Sequence, residues 1–107
     1  MFEEDEEVIL SDIRTPSSLR NALGQLLLRN PRLAEQFTFA VAKDLWMKTN
    51  TPAILNATGE ITYREGVLFI QILNPSLRAN LNGMRREVCR QLNERMEFVS
   101  LRDVKFV

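Results

Sequence analysis

The feature that most constrains this 107-residue sequence is a change of period after Thr58-Gly59. Ile61 and Tyr63 alternate with Glu60, Thr62 and Arg64, the two-residue repeat of a strand with one wet face. Glu65-Gly66 supplies a tight turn, and Val67-Leu68-Phe69-Ile70-Gln71-Ile72-Leu73 returns as a more fully buried strand. A β-hairpin is therefore the frame on which the other elements are placed.

The flanks read as helices and one further strand. Thr15-Pro16-Ser17-Ser18 is a helix start, a hydroxyl cap followed by proline at the first helical position, and Leu19, Leu23, Leu26 and Leu27 follow as one apolar stripe. Asn30-Pro31 separates this helix from a second, because proline disfavours helical backbone in the residue before it. The second helix carries Leu33, Phe37, Ala40, Val41 and Met47 on one side, with Phe39 and Trp46 on another, and reaches about Lys48. Asn50-Thr51-Pro52 breaks it, and residues 52–57 make one more helical turn. Beyond the hairpin, Asn74-Pro75-Ser76 caps a helix whose apolar face is Leu77, Leu81, Met84, Val88 and Leu92, with a kink expected at Asn82-Gly83. Val104 and Phe106 alternate with Asp103 and Lys105 in a last strand. The order is helix, helix, strand, strand, helix, strand: an α+β plan with a small three-stranded sheet and helices on one face. The third strand is expected on an edge of the hairpin that is not adjacent to it.

Composition narrows the chemistry. Apolar residues make up 45% and charged residues 26%, the balance of one globular domain with a real core. Histidine is absent, which removes the commonest general acid/base and the commonest metal imidazole. Cys89 alone makes neither an internal disulfide nor a zinc site, and points to an inert buried thiol in a reducing, cytoplasmic setting. No apolar run approaches the ~20 residues of a membrane span, and the acidic N-terminus is unlike a signal peptide. Residues 1–13 hold six acids and no base, so the zero net charge conceals an acidic arm (residues 1–14) on a basic body (residues 15–107). Such an arm is a solvated terminus or a shield for a basic surface.

No catalytic, metal or cofactor pattern emerges. Glu94 with Glu97, and Glu60 with Glu65, sit among bases on wet faces, and nothing holds either pair across a cleft. The four glycines are too scattered for a phosphate loop. Trp46 reads as core with its indole N–H satisfied. The arginines say more. Arg78, Arg85, Arg86, Arg90 and Arg95 lie within eighteen residues that hold only Glu87 and Glu94 as acids. On a continuous helix Arg86 and Arg90 share the solvent face with Asn82 and Asn93, while Arg78 and Arg85 flank the apolar stripe. A solubilising face accounts for this, and so does a phosphate-contacting surface whose asparagines reach sugar or base edges. The candidate nucleic-acid-binding residues are Arg78, Arg85, Arg86 and Arg90, with Lys105 on the last strand.

Trp46, Thr58 twelve residues on, Gly66-Val67-Leu68-Phe69-Ile70, Asn80-Leu81, Leu92-Asn93 and the closing Val104-Lys105-Phe106 together resemble the bacterial DciA family, with Leu19–Leu28 similar to its opening helix. No single motif is specific; their order and spacing over residues 16–107 carry the likeness. The family's glycine five residues after the tryptophan is Thr51 here, and Gly83 stands alone where a KH clamp would show GxxG. The resemblance implies a non-enzymatic, KH-like protein that binds single-stranded DNA or another nucleic acid and loads or operates the replicative helicase DnaB. The alternative from the residues is a protein–protein interaction module, docking through the hairpin edge or the first leucine helix.

Overall fold

A computed structural model describes residues 17–107; the acidic arm and the Thr15-Pro16 cap lie outside the described residues. The chain forms two compact units, Met1–Pro31 and Arg32–Val107. Helix α1 (Ser17–Arg29) belongs to the first. Its end is marked by Asn30, whose side-chain amide donates to the Leu26 carbonyl at 2.7 Å.

The second unit follows the order α2 (Pro31–Thr49), α3 (Pro52–Ala57), β1 (Thr58–Arg64), β2 (Val67–Ile72), α4 (Pro75–Gly83), α5 (Arg85–Glu94) and β3 (Asp103–Phe106). The α+β plan and its small sheet are as expected. At the end of α2, Asn50 Nδ2 donates to the Trp46 carbonyl, an acceptor that the last turn leaves open, and Thr49 Oγ1 bonds back to the Leu45 carbonyl. Thr51 then caps α3, accepting from the Ile54 N–H, at φ −71° and ψ 158°. That backbone conformation suits any residue, so the threonine standing in the family's glycine position needs no special freedom.

The hairpin turn has both central residues at positive φ, Glu65 at 51° and Gly66 at 86°, as a two-residue turn matched to strand twist requires. A Cβ on Gly66 would also come within 2.8 Å of the Arg102 side chain, so glycine is doubly required. β1 and β2 pair antiparallel with Thr62 opposite Phe69 and Tyr63 opposite Leu68. β3 pairs in parallel with β2, Phe69 opposite Lys105 and Ile70 opposite Phe106, giving the order β1-β2-β3. This corrects the expectation of a non-adjacent edge. A parallel neighbour needs a long crossover, and the segment holding α4 and α5 is long enough to supply it.

The core lies between the sheet and the helices. Leu68, Ile70, Ile72 and Val104 are fully buried, with Ile61 and Phe106 from the sheet and Ala42, Trp46, Leu81, Cys89 and Leu92 from the helices. Trp46 is a core residue as expected. Its ring centroid is 5.5 Å from that of Phe106, and its indole N–H donates to Thr58 Oγ1 at 3.3 Å. Two apolar stripes depart from the sequence reading. On α2 the buried side is that of Ala42 and Trp46, with Phe39, Val41 and Leu45 packed beside them, while Leu33 and Met47 are exposed. Between α4 and α5 the chain breaks at Met84 (φ −112°, ψ 11°), turning the expected kink into a joint and leaving Met84 exposed. Among the described residues no helix is long and apolar enough to cross a membrane.

Candidate nucleic-acid interface

The joint between α4 and α5 organises the arginine cluster. Asn74 starts α4 by accepting from the Leu77 N–H at 3.0 Å, and Pro75 occupies the first turn, where its missing N–H costs nothing. The helix runs to Gly83, whose Cβ position is open space, and the Met84 N–H folds back to the Leu81 carbonyl. α5 then begins with Arg85-Arg86-Glu87, and no side chain caps it. Two cations in a first turn oppose the helix dipole, and Glu87 offsets them only in part. Arg86 is exposed and Arg85 half-buried. Neither makes an ion pair with a described residue, unlike Arg90, which pairs with Glu87 and Glu94. Arg85 and Arg86 are thus neighbouring charges without an ion-pair partner among the described residues.

The other predicted residues are placed differently. Arg78 is half-buried and donates from Nη1 to the Ile72 carbonyl at 3.2 Å, so its guanidinium ties α4 to the end of β2. Arg90 is held between Glu87 and Glu94, one turn on either side, and lines a cleft of about 430 Å³ bounded by Trp46, Asn50 and Arg95. Hydrogen bonds from Arg90 and then Gln91 hold the Glu87 carboxyl below its ordinary range, and Glu87 in turn raises Arg90. A depressed carboxyl keeps this clamp charged until pH falls through its lowered value. Replacing Glu87 and Glu94 by glutamine is expected to free Arg90 and strengthen polyanion binding about threefold at low salt, with the gain fading at high salt. Fluorescence anisotropy of a labelled oligonucleotide measures it. Lys105 is exposed on β3 between the buried Val104 and Phe106, so it faces away from the helices and the other four.

Asn82 and Asn93 are not free to read a ligand, contrary to expectation. Asn82 donates to the Phe106 carbonyl at 2.8 Å and accepts from the Phe106 N–H at 3.1 Å. Asn93 does the same to Leu101, at 3.0 and 2.7 Å. The break at Met84 takes Asn82 off the helix that carries Arg86 and Arg90, whereas Asn93 stays on α5 with them and is engaged by the chain that follows. Each amide instead pairs with the backbone of the chain that becomes β3. Cys89 is buried as expected. Burial first, then the charge of Asp103, pushes its thiol up, while a hydrogen bond from Asn93 acts the other way.

One surface escaped the sequence reading. β2 alternates, with Leu68, Ile70 and Ile72 buried but Phe69 half-buried and Gln71 exposed on the opposite face. The apolar run of β2 masked this alternation, and Gln71 was its only polar signal.

The family model described as "Dna[CI] antecedent, DciA" matches residues 18–106. No curated protein and no solved structure matches the chain.

Proposed function

This chain belongs to the DciA family, and from that premise we propose that it is a non-enzymatic nucleic-acid-binding protein that assists the replicative helicase DnaB in DNA replication. The family itself points to a helicase-loader type of role. The observation that carries nucleic-acid binding is the pair Arg85 and Arg86, unpaired by any described acid at a solvent-facing joint between two helices. A guanidinium suits phosphate better than an ammonium does, because its planar fork donates twice. The sequence of elements from β1 onward, two strands, two helices and a strand, supports a KH-like reading, with the joint at Gly83 in the place of a backbone clamp. Residues 15–107 are then the working domain, in a cytoplasmic setting, with single-stranded DNA the first ligand to test.

Arg85 and Arg86 are the primary phosphate contacts in this reading. Arg78 and Arg90 contribute background charge while holding other partners, and Lys105 acts from the far face of the sheet. A titration of labelled single-stranded oligonucleotide across a series of salt concentrations tests the proposal. Affinity is expected to fall with a slope of about 0.7 for every phosphate neutralised, reaching several charges in total. No detectable binding at low salt would sink it. Capture of purified helicase that survives nuclease treatment tests the direct protein contact.

A further inference from the structure

The outward face of the sheet holds an aromatic ring between two cations. Phe69 sits on the central strand, directly across from Thr62 on β1 and Lys105 on β3. Its neighbours Leu68 and Ile70 are buried against the helices, so Phe69 lies on the other face, and it remains half-buried. The Arg64 guanidinium lies over the ring, 5.5 Å from its centroid. A shallow depression of about 400 Å³ opens here, lined by Thr62, Tyr63, Arg64, Phe69 and Val107. Arg64 and Lys105 are both exposed, and neither takes part in the ion pairs of the described residues. Asp103, the acid nearest in register, accepts from the Val104 N–H at 2.8 Å.

Resting on the reading that this chain binds nucleic acid, we propose that this sheet face is a second contact surface, a stacking platform for single-stranded nucleic acid. One base lies on Phe69, and Arg64 and Lys105 neutralise the phosphates on either side. The chemistry selects this occupant. A half-buried ring set among hydroxyl, guanidinium and ammonium groups, with only Tyr63 and Val107 beside it, offers little to an apolar protein surface, which gains by burying a broad patch. It offers a flat, anion-linked ligand both a π-face and counter-charges. The Arg64 guanidinium, itself flat, already marks the place on the ring. An entering base displaces it, and the displaced guanidinium meets the adjoining phosphate. The platform and the Arg85–Arg86 joint lie on opposite sides of the sheet, since α4 and α5 cover the face that carries Val104 and Phe106.

The test compares the full chain with variants, using a labelled oligothymidylate and an abasic oligonucleotide of equal length and charge. The wild type is expected to prefer the oligonucleotide with bases about tenfold. Phe69→Leu keeps an apolar side chain but removes the π-face, and is expected to abolish that preference without changing the salt slope. Phe69→Tyr is expected to restore it. Lys105→Gln lowers the slope by about 0.7 and leaves the preference intact. A Phe69→Leu protein that still prefers bases tenfold overturns the platform, and so does a wild type that binds both oligonucleotides equally. Either result leaves the Arg85–Arg86 contact standing, because that is read from the salt slope. Absence of all binding overturns both.

Discussion

Replacing Arg85 and Arg86 together by glutamate is expected to weaken single-stranded DNA binding about thirtyfold at low salt and to reduce the salt slope by about 1.4. The slope follows from losing two phosphate contacts at about 0.7 each, and the rest of the loss is repulsion from two new anions. Folding is expected to respond in the opposite direction. Both residues lie in the first turn of α5, which no side chain caps, so a negative charge there is favoured by the helix dipole. A variant that melts no lower than the parent yet binds poorly separates a contact surface from a structural one. Arg78→Gln provides the contrast. It removes a hydrogen bond to the Ile72 carbonyl and is expected to cost stability while leaving the slope nearly intact. Unchanged binding by the Arg85/Arg86 pair would refute the assignment of the interface.

How far the sequence could be read depended on whether the partner of each residue was local. The hairpin was legible because Glu65-Gly66 lies between two alternating runs, and positive φ at both turn residues is what that pair permits. The helix starts at Thr51-Pro52 and Asn74-Pro75 were legible for the same reason, since a cap bonds within its own first turn. Trp46 was legible as core because large aromatic rings seldom have another place in a small domain. The partner of β3 was not, because it depends on a crossover of about thirty residues rather than on any neighbour. Nor was the inner side of α2, where apolar residues surround the helix and only docking decides which of them face the sheet. The arginines were legible as a cluster but not as individuals. Glu87 and Glu94 are in plain view at helical spacing from Arg90, whereas the Ile72 carbonyl that engages Arg78 could not be foreseen.

Asn82 is the sharpest of these cases, and Asn82→Ala is expected to cost about 2 kcal/mol of folding stability, lowering the melting temperature by about 10 °C. Its amide stands in for a neighbouring strand: it gives one hydrogen bond to the Phe106 carbonyl and takes one from the Phe106 N–H. Phe106 is 3% exposed, so removing the amide strands a donor and an acceptor beside the core together. The same pairing ties the α4–α5 joint to β3, so its loss is felt where Arg85 and Arg86 begin. At temperatures where the variant is folded, the salt slope of oligonucleotide binding is expected to stay at the parental value, because no phosphate contact is lost. A base-reading asparagine would behave in the reverse way, with thermal stability preserved and affinity reduced for some sequences more than others. Thermal denaturation and a salt titration on one preparation decide between the two, and the hydrogen bonds to Phe106 favour the first.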